Sequence, residues 1–152
     1  MQVFVYSRQA LDAARPPEVP HVIVSITSSA DDVAKLRSNA MCRGVLRLAF
    51  PDVEEPSVSF AESILFSPAH AAQITDFVRE HAPHVERILV HCDAGVSRSA
   101  AVGAAIARAL NGDDSEFFAG RYRPNMRVYR MVLASFDVKP APGEGALKAD
   151  SR

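Results

Sequence analysis

The sequence has few cysteines, almost no net charge and no long apolar run, and each shortage excludes a class of protein. Its two cysteines, Cys42 and Cys92, are too few for a disulfide framework, so a reducing cytoplasmic location is expected. The formal net charge of −1 at pH 7 excludes a general nucleic-acid binder that relies on counterion release. No apolar stretch approaches the roughly 20 residues of a membrane span, and residues 1–8 lack a signal-peptide layout. We therefore expect a cytoplasmic monomer with no nucleic-acid or membrane partner.

Length and composition indicate one globular domain. The 152 residues are 48% hydrophobic and 23% charged, and a domain of this size buries enough surface to fold without metal or disulfide. We expect this domain to span residues 1–138. The stretch 139–152, with Pro140, Pro142, Gly143 and Gly145 and no apolar periodicity, predicts a disordered tail.

Short β-branched runs alternate with helix-like segments along the chain. Strands are predicted at residues 3–6, 22–26, 45–50 and 88–90. Helices are predicted from Ser29 to about Leu36, from Pro68 onward after a Ser67 cap, at residues 98–110, near residues 114–119, and over residues 125–136. This alternation predicts a single α/β domain with a central, mostly parallel sheet flanked by helices.

The segment at residues 90–99, VHCDAGVSRS, joins a predicted buried strand to a predicted helix. Backbone N–H groups and the dipole at a helix start favour a bound anion, and Gly95 permits a tight turn there. Arg98 offers a planar fork of donors that matches two phosphate oxygens. Cys92, above the helix-start dipoles and close to a cation, is in the environment that favours a thiolate. The segment predicts a nucleophile and an oxyanion cradle in one loop.

This segment resembles the His-Cys-x5-Arg-Ser/Thr signature of the cysteine-dependent protein tyrosine phosphatase superfamily. Its Ala-Gly-x-Ser-Arg-Ser pattern is most similar to the dual-specificity branch. In that branch a Pro-Asn pair like Pro124-Asn125 follows the loop helix. The strand, loop and helix context fits this branch over residues 3–136. The resemblance implies a dual-specificity phosphatase-like fold, a phosphorylated protein or peptide as substrate, and no cofactor or metal.

The resemblance also implies a two-step reaction through a phosphocysteine, with Cys92 as the nucleophile. Ser99 corresponds to the hydroxyl residue that helps the thiolate leave, and His91 and Asn125 correspond to structural supports. The phosphoryl oxygens would be bound by the Arg98 side chain and by the backbone N–H groups of the loop residues Asp93, Ala94, Gly95, Val96, Ser97 and Arg98.

A general acid is expected from a separate loop that follows a strand, as in the family. Asp52 stands in that position after the strand at residues 45–50. Its separation from Cys92 is longer than in compact members, and an insertion at residues 57–66 would account for the surplus. Glu54 and Glu55 are alternatives for the same role, and an acidic loop that is merely solvated is a third interpretation.

Several functions remain open at this point. Phosphotyrosine hydrolysis, with or without activity on phosphoserine and phosphothreonine, is the leading hypothesis. The alternatives are a non-protein substrate (an inositol phosphate, a phosphoinositide or an RNA 5′-phosphate) and a non-catalytic phosphate-binding module. The loop has no lysine, which argues against a lipid substrate, and it retains Cys92 and Arg98, which argues against a non-catalytic module. Cys42 could pair with Cys92 in a protective disulfide, although a half-buried free thiol is the better-supported interpretation.

Overall fold

Four parallel strands form the central sheet of the computed structural model, which describes residues 1–139. Their order across the sheet is β1-β4-β2-β3, and every pairing is parallel. The predicted fold class and all four predicted strands are confirmed, with bounds β1 Gln2–Ser7, β2 His21–Thr27, β3 Cys42–Ala49 and β4 Arg87–Cys92. The predicted tail lies outside the described residues except for Lys139, and the domain boundary at residue 138 stays a prediction.

Four helices surround the sheet: α1 Arg8–Ala13, α2 Pro68–His81, α3 Arg98–Asn111 and α4 Met126–Ser135. Short 3₁₀ turns occur at Glu62–Ile64, Ala82–His84 and Ser115–Phe118, so the helix predicted near residues 114–119 is a single turn. Within residues 1–139, no helix has both the length and the hydropathy that crossing a membrane requires.

The main core lies between one face of the sheet and helices α2, α3 and α4. Val24 of β2 and Val90 of β4 belong to this cluster together with Ile74, Val102 and Val132 of the three helices. Because α3 is rich in alanine, it approaches the sheet closely: a Cβ on Gly103 would lie 2.6 Å from Cγ2 of Val5. The close approach fixes the start of α3 against the carboxyl ends of the strands.

The opposite face of the sheet is covered in part by α1 and by the connection that follows β2. A smaller cluster of Leu11, Ile23 and Leu89 is buried there, with Leu36 packed against it. The helix predicted from Ser29 to Leu36 is wrong, since this connection forms a turn followed by an extended stretch.

Tertiary contacts explain why the connection after β2 is not helical. Both carboxylate oxygens of Asp32, predicted to lie in the first turn of that helix, accept hydrogen bonds from Arg8 at 2.7 and 2.8 Å. The carbonyl of Ala34 accepts from Arg47 at 3.0 Å. These partners replace the local hydrogen bonds that a helix would have provided.

Helix α1 was not predicted, because it has only six residues. It begins where the Ser7 hydroxyl accepts a hydrogen bond from the Ala10 backbone N–H at 3.0 Å, the usual N-cap interaction.

Candidate active site

The loop between β4 and α3, here called the 92–98 loop, begins at Cys92 and ends at Arg98. Gly95 is its tightest point, with φ of +71°, and a Cβ there would lie 2.4 Å from the backbone nitrogen of Ser7. Only glycine fits a left-handed position pressed against the end of β1. The Arg8 N–H also donates to the Asp93 carbonyl at 3.1 Å, so β1 and the start of α1 brace the loop.

Three hydrogen-bond donors surround the sulfur of Cys92, whose residue is only 2% exposed. The backbone N–H groups of Gly95 and Ser99 donate to Sγ at 3.3 and 3.4 Å, and the Ser99 hydroxyl lies 3.0 Å from it. The start of α3 adds the positive end of a helix dipole. Hydrogen-bond donors that converge on one sulfur stabilise negative charge on it, and this is the kind of environment that a cysteine nucleophile requires.

Arg98, at the other end of this loop, is buried and is anchored by neighbouring strand ends. Its Nη1 donates to the Phe50 carbonyl at 2.9 Å and to the Ser28 hydroxyl at 3.0 Å, and its Nη2 donates to Asp93 Oδ2 at 3.2 Å. Its Nε is buried and has no hydrogen-bond partner among residues 1–139. A buried donor without a partner requires an explanation, and an oxyanion bound in the loop would provide the acceptor.

Asp52 follows β3 and is held by two donors, one from the 92–98 loop and one from the N-cap of α4. Its Oδ1 accepts from the Ser97 hydroxyl at 2.8 Å and from Asn125 Nδ2 at 2.9 Å. Both donors use the same oxygen, so Oδ2 takes part in neither hydrogen bond. The two alternatives for the acid, Glu54 and Glu55, are exposed and make no hydrogen bond within the described part of the chain.

Asn125 connects three elements at this point. Its Oδ1 caps α4 by accepting from the Val128 N–H at 3.1 Å, and its own N–H donates to the Ser97 carbonyl at 3.1 Å. With the bond to Asp52, Asn125 holds the loop that carries Asp52, the 92–98 loop and α4 together.

His91 is fully buried on the opposite side of β4 from the cysteine. Burial lowers the pKa of its imidazole, so the ring is neutral at pH 7. Its Nε2 lies 2.6 Å from the Ser25 hydroxyl and its Nδ1 lies 3.3 Å from the Cys92 carbonyl. A neutral ring satisfies both contacts if Nδ1–H donates to the carbonyl and Nε2 accepts from Ser25. His91 thereby connects β4, next to Cys92, with β2.

The remaining loop positions face outward: Asp93 and Ala94 are exposed and Val96 is half-buried. Asp93 Oδ1 lies 3.6 Å from Nη1 of Arg8, which is bound on its other side by Asp32. The hydrogen bond with Arg8 holds the pKa of the Asp32 carboxyl below its usual range. This ion-pair cluster at the loop is absent from the sequence prediction, and no local signal reveals it because Arg8 and Asp32 are distant along the chain.

Ser25 and Ser28 were also missed as supports of the site. Ser25 has a recognisable signal, since it is the lone hydroxyl inside the β-branched run at residues 22–26. Ser28 has none, because its role depends on the approach of Arg98.

Cys42 lies at the start of β3, whereas Cys92 lies at the end of β4. Because the strands are parallel, the two cysteines lie at opposite ends of the strands. Both thiols are free. Cys42 is therefore a half-buried free thiol and does not form a disulfide with Cys92. Residues 1–139 contain no group of three His, Cys, Asp or Glu side chains arranged to hold a metal ion.

Comparison with known proteins identifies the fold. No family model matches the chain, and no curated protein matches its sequence. Solved structures do match. A structure of PTPMT1 in complex with PI(5)P has a TM-score of 0.55 at 17% identity, covering 90% of this chain and 90% of that one. Human DUSP28 has a TM-score of 0.53 at 19% identity over 97% and 94% of the two chains. The human tyrosine phosphatase-like serine/threonine/tyrosine-interacting protein has a TM-score of 0.50 at 18% identity over 76% and 75%.

Proposed function

We propose, from the dual-specificity phosphatase fold of this chain, that it hydrolyses phosphotyrosine in proteins, with phosphoserine and phosphothreonine as further substrates. One observation carries the proposal: the Cys92 sulfur is surrounded by hydrogen-bonding groups of a loop that also binds Asp52 and that ends at Arg98, whose Nε has no partner among residues 1–139. Nucleophile, oxyanion site and acid are thus assembled around one place for a phosphoryl group. The protein would act as a cytoplasmic monomer without a metal or cofactor.

In the first step, the Cys92 thiolate attacks phosphorus as the bond from phosphorus to the ester oxygen breaks. Arg98 Nε and the backbone N–H groups of the 92–98 loop bind the three remaining phosphoryl oxygens. Asp52 transfers the proton on Oδ2 to the departing oxygen, so the alcohol or phenol leaves neutral. The products of this step are the dephosphorylated substrate and a phosphocysteine.

In the second step, water attacks the phosphocysteine and Asp52, now a carboxylate, accepts a proton from it. The sulfur–phosphorus bond breaks and inorganic phosphate is released. Sulfur recovers its negative charge, and the Ser99 hydroxyl at 3.0 Å is placed to donate to it. Asp52 is again protonated, so the enzyme returns to its starting state.

A phosphoinositide or another non-protein phosphate is the second candidate substrate. It is favoured by the likeness to PTPMT1, whose matching structure is a complex with PI(5)P. The loop argues for a protein substrate instead, because it has no lysine and carries an exposed carboxylate at Asp93. Like charges at the mouth of a site disfavour polyphosphorylated ligands.

A panel of phosphotyrosine, phosphoserine and phosphothreonine peptides, inositol phosphates and phosphoinositide vesicles tests the proposal, with a chelator present throughout. We expect the highest kcat/KM on phosphotyrosine peptides and no loss of activity with the chelator. Faster hydrolysis of a phosphoinositide would select the second candidate, and a requirement for a divalent ion would contradict the mechanism.

The nucleophile is tested with two matched cysteine variants. Cys92→Ser should abolish turnover yet still bind inorganic phosphate, because the cradle consists of backbone groups and Arg98. Cys42→Ser, which removes the other free thiol, should retain full activity. Appreciable hydrolysis by Cys92→Ser would exclude a phosphocysteine.

A further inference from the structure

A cavity separate from the 92–98 loop lies on the sheet face that carries His91, at the carboxyl ends of β2 and β3. Its volume is about 240 Å³, and its lining includes Ser25, Thr27, Ala30, Val33, Arg47 and Ala49; we call it the rear pocket. Residues 25 and 47 are paired in register, so their side chains project from neighbouring strands on the same face. The volume suits a ligand of a few heavy atoms, since pockets for drug-sized ligands begin at about 300 Å³.

The rear pocket contains one arginine, Arg47, that has no ion-pair partner among residues 1–139. Asp32 also lines it, but both oxygens of Asp32 accept hydrogen bonds from Arg8. Arg47 donates one hydrogen bond, from Nη1 to the Ala34 carbonyl at 3.0 Å, and no carboxylate of the described residues lies within ion-pair distance of it. Since a guanidinium has five N–H donors, most of those of Arg47 are left for a ligand.

The two hydroxyl groups in the rear pocket cannot bind an anion by donation. Thr27 Oγ1 donates to the Ser29 carbonyl at 3.0 Å, and the Ser25 hydroxyl donates its proton to neutral His91. Arg47 is therefore the anchoring group, and the other walls are mostly apolar, from Ala30, Val33 and Ala49. One cation among apolar walls matches a carboxylate on a short apolar stem better than a highly solvated phosphate.

The rear pocket adjoins the 92–98 loop. Ser28 follows Thr27 directly, and its hydroxyl accepts from Arg98 Nη1 at 3.0 Å. Only the end of β2 therefore lies between the rear pocket and the arginine of the phosphate site. This neighbourhood makes an acidic side chain close in sequence to the phosphorylated residue one candidate occupant of the rear pocket.

We propose that the rear pocket binds a carboxylate on a short apolar stem, with Arg47 as its anchor. Two sources share this chemistry: an acidic side chain of the substrate near the phosphorylated residue, or a free small carboxylate. The first source rests on the proposed function, and the second does not.

Binding of free carboxylate is measured by titrating butyrate into the full chain and following backbone amide NMR shifts. We expect saturable shifts at Ser25, Thr27 and Arg47 that are lost in Arg47→Gln. Arg43→Gln is the matched control, because Arg43 lies on the same strand and also donates to a backbone carbonyl, that of Ala40. It should behave as the wild type does.

Binding of a substrate side chain is measured with phosphotyrosine peptides in which glutamate replaces glutamine at one flanking position at a time. We expect one position at which glutamate lowers KM by about 10-fold, the worth of a charge-assisted hydrogen bond, with kcat unchanged. Arg47→Gln should abolish this preference, and Arg43→Gln should keep it.

The outcomes separate the two sources. Butyrate binding without a glutamate preference assigns the rear pocket to a free carboxylate, and a preference that depends on Arg47 assigns it to the substrate. If Arg47→Gln does not fold, Ala49→Leu replaces it, since a leucine there fills the rear pocket and leaves Arg47 in place. The proposal is overturned if the wild type shows neither butyrate binding nor a glutamate preference. It is also overturned if these effects persist in Arg47→Gln or Ala49→Leu. A chain that hydrolyses no phosphopeptide would refute the proposed function and leave the butyrate measurement valid.

Discussion

The strongest test of the assigned acid is Asp52→Asn. An amide has nearly the same shape as a carboxyl group, and its oxygen can accept from Ser97 and Asn125 as Asp52 Oδ1 does at 2.8 and 2.9 Å. The loop geometry should therefore persist, and the variant should lose only the capacity of residue 52 to transfer a proton. Loss of general acid catalysis slows a reaction by about 10²–10⁴-fold. This corresponds to about 3–5 kcal/mol of transition-state stabilisation.

The assay compares substrates that differ in their need for a proton. With a phosphotyrosine peptide, kcat of Asp52→Asn should fall by the full factor. With an aryl phosphate whose leaving group is very acidic, the loss should shrink, since less charge develops on the departing oxygen. Glu54→Gln and Glu55→Gln are matched controls on the same exposed loop and should change little. An equal loss on both substrates, or a selective loss in Glu54→Gln, would refute the assignment of Asp52.

Three further outcomes follow from the geometry of the loop and the strand before it. Gly95→Ala should inactivate the protein and lower its Tm more than Gly112→Ala does. A Cβ at position 95 would lie 2.4 Å from backbone, whereas a Cβ at position 112 would have no atom within 4 Å. Equal Tm values for the two variants would contradict this reasoning. Arg98→Lys should reduce kcat/KM by about 10²-fold or more, since an ammonium cannot replace the anchored fork, and near-normal kinetics would place the phosphate elsewhere. Burial lowers the pKa of His91, so below pH ~6.5 the unfolded chain binds a proton that the folded chain does not, and stability falls as pH falls. Below that pH, the Tm of the wild type should drop more steeply than the Tm of His91→Gln. His84→Gln, which changes an exposed histidine, should follow the wild type. Equal pH dependence of Tm in the wild type and in His91→Gln would contradict a neutral buried His91.

Helix ends are predictable here because their signals are local. Ser67 caps α2 through the His70 N–H at 3.3 Å, and Pro68 occupies its first turn. Gly112 ends α3 in the left-handed conformation, with φ of +77°. In each case the residue and its partner are within a few positions of each other, so the pattern can be read without knowing the fold.

The connection after β2 shows the limit of such patterns. Ser29 and Asp32 have the spacing of a helix start, but Arg8 of another element binds the Asp32 carboxylate. The supports of the site have the same property: Ser25 reaches His91, and Asn125 reaches Asp52, only after the sheet and α4 have assembled. The motif predicts which residues are available for chemistry, whereas these long-range partners decide how each of them is held.

The position of β4 between β1 and β2 makes formation of the active site a late event in folding. Gln2 of β1 pairs with Arg87 of β4, so β1 obtains its partner strand only after a long loop closes. Contacts so distant in sequence form slowly and together with the rest of the sheet. The same step brings Ser7 under Gly95, the tightest point of the loop that contains the donors to Cys92. A partly folded chain therefore has this loop without its support from β1, and phosphatase turnover during refolding would count only molecules that have completed the sheet.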